Sequence, residues 1–295
     1  NPRIHVFLST SPLHMKHKLR KEPEDVLKMI VEGVKRCATY TSNVEFSLED
    51  FSRTEGDFAC RVVEAAIKAG ATTINLPDTV GYAVPEEYAA LIDHVIRNTP
   101  NSDKAIFSVH CHNDLGLAVA NTLAAFRVGV RQAEVTLCGI GERAGNAALE
   151  EVVMNLRVRH DYFHLEHNIV TEQLYPSSRL LSMTIGQPIA NNKAIVGANA
   201  FAHESGIHQD GMLKNRETYE IMTPQSVGRT ESNLVIGKHS GRNAVRNKFE
   251  SMGYKLDDDQ LNLVFEAVKQ LADRKKTLHD DDLMALVQEE VYRMP

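Results

Sequence analysis

His110 and His112 stand two residues apart in Ser108-Val109-His110-Cys111-His112-Asn113-Asp114-Leu115-Gly116, directly after the apolar run Ala105-Ile106-Phe107. A strand has a side-chain period of two, so both imidazoles point to one face at a strand's C-terminal end and Cys111 points to the other. Two co-facing neutral imidazoles make half of a site for a divalent transition metal, with oxygen ligands needed to complete it. By itself His-x-His favours an ion-free polar strand end; the rest of the chain argues for the metal. One strand further on, Gly139-Ile140-Gly141-Glu142-Arg143-Ala144-Gly145-Asn146 lets glycine backbone pass close to a ligand, and Asn146 offers an amide oxygen.

Other reactive side chains fall at similar places. Ser47 and Glu49 share one face of a strand terminus, where a carboxylate beside a metal acts as a general base or an orienting acceptor; outside such a mouth it is an ordinary solvated loop acid. Thr79, in Pro77-Asp78-Thr79-Val80-Gly81, is a hydroxyl donor suited to a substrate carboxylate, although the same residues are also turn chemistry. The Gly-x-Gly-x-x-Ala run from Gly139 to Ala144 approaches a dinucleotide fingerprint, but Glu142-Arg143 would crowd a pyrophosphate turn and no neighbouring unit completes a cofactor half. His160, His164 and His167 cross a helix end without acid or thiol partners and read as surface histidines. The runs at 257–259 and 280–282 are aspartates placed to cap helices.

Apolar β-rich runs at 4–9, 43–47, 72–76, 104–109 and 132–137 alternate with amphipathic stretches near 22–38, 56–69, 85–98, 116–128 and 147–159. Proline and carboxylates open the helices at Pro23-Glu24-Asp25 and Pro85-Glu86-Glu87, and Gly70 and Gly129 close their neighbours. Such βα alternation implies a parallel sheet covered by helices. An open doubly wound sheet needs reactive strand ends only beside its switch point, whereas a closed (β/α)8 TIM barrel gathers all of them at one mouth. Here every strand ends in reactive side chains: Thr10-Ser11, Ser47 with Glu49-Asp50, Asp78-Thr79, His110 with His112, and Glu142-Arg143. The fold expected is therefore a (β/α)8 barrel represented by about five C-terminal βα units. Roughly three N-terminal units are expected to lie before Asn1, where Ile4-His5-Val6-Phe7-Leu8 already reads as a strand.

The rhythm breaks after about residue 160. A helix near 168–183 precedes a polar segment at 197–211, and further helices near 241–252, 259–273 and 280–292 form a small helical appendage. The expected division is 1–185 for the partial catalytic barrel and 186–295 for the appendage. The net charge of −6 gives no basic footprint for nucleic acid or an anionic membrane. Four cysteines without framework spacing suit reduced thiols in the cytoplasm, and no run approaches the length of a membrane span.

Taken together, His110-x-His112-Asn-Asp-Leu-Gly, the Gly139–Asn146 loop, Asn75-x-Pro-Asp-Thr-Val-Gly-Tyr, the run from Gly206-Ile207-His208-Gln209-Asp210-Gly211 to Lys214, Tyr219-Glu-Ile-Met-Thr-Pro224 and Gly237-Lys-His-Ser-Gly-Arg242 resemble the 2-isopropylmalate synthases, TIM-barrel metal-dependent Claisen-condensing enzymes. The resemblance covers nearly the whole chain. It implies condensation of acetyl-CoA with 3-methyl-2-oxobutanoate to 2-isopropylmalate and CoA, the first committed step of leucine biosynthesis. His110, His112 and Asn146 match metal ligands; His5, Ser47 and Thr79 match the oxo-acid pocket; and Glu49, His208 and Tyr219 match catalytic positions. The implied cation is Mn²⁺, with Mg²⁺, Co²⁺ or Zn²⁺ admitted by the same ligand set. The family further implies a cytoplasmic homodimer in which the appendage of one subunit, bearing His208 and Tyr219, reaches the partner's barrel. Homocitrate and citramalate synthases share the barrel motifs and are the alternative activities; a catalytically inactive dimerising or metal-binding module is the non-enzymatic alternative.

The family's first-strand Arg-Asp pair, which supplies a fourth metal ligand, and its leucine-binding regulatory domain have no counterpart in these residues. The 295-residue chain alone is therefore expected to give no product, no leucine response and weak metal binding, which an assay of the purified chain checks; robust turnover would contradict it.

Overall fold

The five expected strands form in register as one parallel sheet in the order β1-β2-β3-β4-β5. They are β1 (Ile4–Ser9), β2 (Val44–Glu49), β3 (Thr73–Asp78), β4 (Ile106–Cys111) and β5 (Gln132–Glu134). This computed structural model describes residues 2–202, 211, 214–229, 236, 240–275, 278 and 280–291. Each strand lies beside its neighbour in sequence, with Phe7 opposite Ser47, Ser47 opposite Asn75 and His110 opposite Glu134. An order without reversal has no switch point, so the sheet is of the barrel type and not doubly wound.

Strand alternation gives the sheet two different faces. Phe46, Leu48, Ile74, Leu76, Val109 and Cys111 are buried against the helices, whereas His5, Ser47, Asn75, His110 and Glu134 share the opposite face. The covering helices are Pro23–Ala38, Gly56–Ala69, Pro85–Asn98, Ala118–Arg127 and Leu149–Val158. In Pro23–Ala38 the buried residues are Val26, Ile30 and Val34, a four-residue repeat that forms one apolar stripe. Pro23 and Pro85 occupy first-turn positions, where a missing N–H leaves no intrahelical bond unmade.

The differences from expectation are local. β5 stops at Glu134, because Thr136 N–H instead donates to Ala147 O at 3.1 Å and a 3₁₀ turn follows over Leu137–Gly139. A short helix at Pro12–His14 and a π-helical turn at Met15–Leu19 lie between β1 and the first long helix, ending at Arg20 with φ of 55°. The segment expected as one helix near 168–183 is a 3₁₀ turn at Thr171–Gln173 running into a helix at Leu174–Ile185.

The chain divides into two compact units, Asn1–Ile169 and Val170–Pro295. The second has its own core, in which Val245, Phe249, Leu261, Val264, Leu283 and Val287 pack together from the helices Arg242–Ser251, Asp258–Arg274 and Asp280–Val291. Asp257 and Gln260 form a reciprocal capping box at the start of the middle helix. Among the described residues no helix is long and apolar enough to cross a membrane.

In the first unit, the β3 end is tied down by Asp78, which is fully buried. Its carboxylate accepts from Ser52 Oγ at 2.7 Å, Tyr82 N–H at 3.1 Å, Ala83 N–H at 3.2 Å and Asn121 Nδ2 at 3.3 Å. Removing a buried acceptor strands its donors, which costs more than the bonds themselves contribute. Asp78→Ala is expected to destabilise the protein by about 2–4 kcal/mol, seen as a lower denaturation midpoint; an unchanged midpoint would show that the donors find water instead.

Candidate functional site

The polar face of the sheet carries two hydrogen-bonded layers. In the lower, Glu45 accepts from Arg3 Nη1 at 2.9 Å and from Gln132 Nε2 at 2.8 Å, and Gln132 also donates to Ser108 Oγ at 3.0 Å. One turn of the pleat higher, His5 Nε2 lies 2.6 Å from Ser47 Oγ, which also accepts from Asn75 Nδ2 at 2.9 Å. Asn75 Nδ2 reaches Glu134 Oε2 at 3.3 Å, and the same oxygen lies 2.9 Å from His110 Nδ1. A continuous polar connection thus runs from His5 on β1 to His110 on β4. Burial alone would raise the Glu134 carboxyl, but the bond and charge of His110, the charge of His5 and the Asn75 contact outweigh it and hold its pKa below the ordinary value.

Above this layer the two imidazoles face each other, His110 Nε2 lying 3.1 Å from His112 Nε2. Two cis ligands at the usual metal–nitrogen distance of about 2.0–2.1 Å are separated by about 3.0 Å, so the pair has the spacing that a divalent cation requires. His112 is bridged through its backbone to Asn146. The Asn146 amide donates from Nδ2 to Ile140 O at 3.2 Å, while its Oδ1 is buried with no hydrogen-bond partner. An orphaned amide oxygen beside two imidazoles is a donor set suited to such an ion. A Cβ at Gly141 would lie 2.6 Å from Asn146 Nδ2, so that glycine is required for the amide to sit where it does. Among the described residues no three His, Cys, Asp or Glu side chains form a cluster that could hold a metal; the donors present are the two histidines and the asparagine. Burial, reinforced by the neighbouring His110 and Arg143, pushes the His112 pKa down, which keeps its ring neutral and able to ligate.

Glu49 lies at the end of β2 and is held differently. Lys18 Nζ donates to Glu49 Oε1 at 2.5 Å and to Oε2 at 2.8 Å, and Ser9 Oγ donates to Oε2. Lys18 arrives on the π-helical turn Met15–Leu19. Thr79 Oγ1 accepts from Asp50 N–H at 2.9 Å, and Thr79 O accepts from Arg143 Nη2 at 2.9 Å. Arg143 also forks onto Asp114, Nε to Oδ1 at 2.8 Å and Nη2 to Oδ2 at 3.0 Å, so one guanidinium clamps the loops after β3, β4 and β5. Gly81, with φ of +61°, lets Asp114 approach: a Cβ there would meet Asp114 N at 2.6 Å.

The structure thus gathers His5 and Ser47 with His110, places His112 and Asn146 beside them, and puts Glu49 and Thr79 at neighbouring strand ends. Tyr219 lies in the second unit, its ring against Gly211, and His208 lies outside the described residues. A cavity of about 670 Å³ lined by Met15, Lys16, Arg20, Phe58 and Arg61 among others is formed by none of the expected site residues. Sequence reasoning missed Glu134, Asn75, Ser9 and Lys18. The first two could have been found by parity, since each sits on the same strand face as a site residue beside it.

An HMGL-like family model matches residues 1–181, well over half of the chain. The chain belongs to the HMGL-like family. A second model, homocitrate synthase post-HMGL domain-like, matches residues 195–276. The HMGL-like chain is 70% identical over 295 residues to a 2-isopropylmalate synthase of Nitratidesulfovibrio vulgaris, covering all of this chain and 57% of that protein. It is 61% identical over 289 residues to one from Rhodopseudomonas palustris, with 98% and 56% covered. It is 57% identical over 293 residues to one from Heliobacterium modesticaldum, with 99% and 57% covered. The chain therefore spans somewhat over half the length of these relatives. Among solved structures, the HMG-CoA lyase of Pseudomonas aeruginosa aligns with a TM-score of 0.53 at 18% identity, covering 63% of this chain and 64% of that one. The HMG-CoA lyase of Brucella melitensis aligns with a TM-score of 0.51 at 19% identity, covering 63% and 67%. At such identities the likeness carries the fold, that of the TIM-barrel lyases.

Burial on its own would raise the Glu49 carboxyl, but the bonds from Lys18 and Ser9 and the charges of Lys18 and His14 hold it below the ordinary value. A carboxylate with a depressed folded-state pKa contributes stability that is present above the unfolded value and lost as pH falls through the folded one. Lys18→Met removes the Lys18 bond and charge from that balance and leaves only Ser9 and His14 against the burial. Its Glu49 is expected to titrate at higher pH than in the wild type, with the acid limb of stability moving up alongside, measured by carboxyl ¹³C shifts; an unchanged titration would mean that Lys18 is solvent-screened.

Proposed function

We propose that the intact protein is a 2-isopropylmalate synthase, joining acetyl-CoA to 3-methyl-2-oxobutanoate and hydrolysing the thioester to give 2-isopropylmalate and CoA. The observation that carries this reading is the 3.1 Å pair of imidazole nitrogens beside the orphaned oxygen of Asn146. The choice of oxo acid follows the synthases that this chain resembles at 57–70% identity. His110, His112 and Asn146 would hold a divalent cation, Mn²⁺ by preference, which when bound supplies Lewis acidity toward the keto and carboxylate oxygens of an oxo acid.

The remaining roles belong to the chain's own side chains. His5 and Ser47, 2.6 Å apart, present a donor and a hydroxyl to the oxo acid, and the Thr79 hydroxyl is placed for its carboxylate. Glu49, kept ionised by Lys18, is a proton acceptor or the group that orients one. A base takes a proton from the acetyl methyl, the resulting carbanion attacks the keto carbon, and water then cleaves the thioester. His208 and Tyr219, delivered by the appendage of a partner subunit, complete that proton transfer in a cytoplasmic homodimer. In this division residues 1–185 carry the barrel and 186–295 the appendage.

A panel of oxo acids assayed with acetyl-CoA on the intact protein tests the reading. 3-Methyl-2-oxobutanoate is expected to give the highest kcat/KM, and His112→Ala to lower it on the order of 100-fold or more. A preference for 2-oxoglutarate or pyruvate would assign the homocitrate or citramalate reaction, and absence of turnover with every oxo acid would favour a non-catalytic module.

A further inference from the structure

The residue that follows Glu49 takes a conformation that side chains disfavour. Asp50 sits in the left-handed region, at φ of 66° and ψ of 37°, and is fully buried. Such a residue persists only where its surroundings over-determine it, and here they do. Arg53 Nε lies 2.9 Å from Asp50 Oδ1 and 3.0 Å from Oδ2, Arg53 Nη2 lies 2.8 Å from Oδ2, and Ser11 Oγ donates to the same oxygen. The Asp50 carbonyl accepts from Thr54 Oγ1 at 3.0 Å and from Arg53 N–H at 3.2 Å.

The consequence of this turn lies at the Asp50 N–H. The pairing of β2 with β3 runs as far as Ser47 opposite Asn75, and beyond that pair the Asp50 N–H crosses to Thr79 Oγ1 at 2.9 Å. The peptide between Glu49 and Asp50 is thereby joined to Thr79, whose own carbonyl accepts from Arg143 Nη2 at 2.9 Å. A hydroxyl has one proton and two lone pairs. Asp50 N–H takes one lone pair, and among the described residues no oxygen accepts the proton, which is left for an acceptor in the mouth such as a carboxylate.

We infer that Asp50 is a positioning residue: its left-handed turn, locked by Arg53 and Ser11, aims its N–H at Thr79 Oγ1, so that the Thr79 proton is presented to the oxo-acid carboxylate at a fixed distance from Glu49. The inference rests on the roles of Thr79 and Glu49 proposed above. Alanine at this position disfavours the left-handed region and gives Arg53 no acceptor, whereas asparagine tolerates that region and offers an amide oxygen. An aspartate that only stabilised the fold would affect both substrates alike; one that acts through Thr79 affects the oxo acid.

The test is made on the intact protein in two parts. Amide exchange of Asp50, followed in ¹H–¹⁵N spectra, is expected to be slow in the wild type and about 10-fold or more faster in Thr79→Val, which keeps the shape of the side chain and removes the acceptor. In steady-state assays Asp50→Ala is expected to raise KM for 3-methyl-2-oxobutanoate about 10–100-fold, while KM for acetyl-CoA stays within a few-fold. Asp50→Asn should recover most of that loss. Asp50→Ala added to Thr79→Val should cost little more than Thr79→Val alone, because both remove the same contact. Equal exchange in the wild type and Thr79→Val would overturn the inference whether or not Asp50→Ala folds, as would KM losses of equal size for the two substrates or additive losses in the double variant. The exchange is read without metal, substrate or turnover, so its failure is distinguishable from failure of the synthase reading, which the oxo-acid panel decides.

Discussion

Side-chain alternation along parallel strands of common register is the constraint from which the rest of this structure follows. Because neighbours on a strand point to opposite faces, the five strands send Phe46, Leu48, Ile74, Leu76 and Val109 to the helices and keep His5, Ser47, Asn75, His110 and Glu134 together on the other side. A slip of one residue in any pairing would exchange the two sets. The apolar burial that stabilises the sheet therefore also fixes the register of the polar layer, and the site inherits its geometry from the core. This is why the two facing imidazoles stand at a strand end, while the side chains that pass close to them, Asn146 and Arg143, come from a glycine-rich loop.

Charge is distributed over that layer with some economy. The carboxylates Glu134 and Glu49 are each held below the ordinary value by several partners that together outweigh burial, His110, His5 and Asn75 around Glu134 and Lys18, Ser9 and His14 around Glu49. His112, by contrast, is pushed toward its neutral form by burial, reinforced by the neighbouring His110 and Arg143. The result is a polar layer in which the acids are ionised and the His112 ring is neutral, a combination suited to a divalent cation. The Arg143 fork onto Asp114 lies over the same strand ends and joins three loops that have no regular structure of their own.

Much of this was legible in the residues alone. The five βα units, the strand-end histidines and the Asn146 loop were visible because each is a local pattern: period two, period 3.6, or glycine at a fixed offset. What escaped notice depended on partners far apart in the chain. Glu134 meets Asn75 across 59 residues and Lys18 meets Glu49 across 31, and no spacing rule announces such pairs. Lys18 was hidden further by the π-helical turn at Met15–Leu19, since a register of five residues defeats a search for helical periods. The sequence pattern carries β5 past its true end because Ala133 and Val135 continue its alternation, although the backbone there turns to pair with Ala147.

The central claim is that His110 and His112 ligate one cation from a single strand end. Electron–nuclear double resonance of Mn²⁺ bound to the ¹⁵N-histidine-labelled intact protein tests it most directly. The account predicts two nitrogen couplings, one of which disappears in His110→Gln and the other in His112→Gln. A spectrum with no histidine nitrogen coupling, or one that keeps both couplings in either variant, would contradict it.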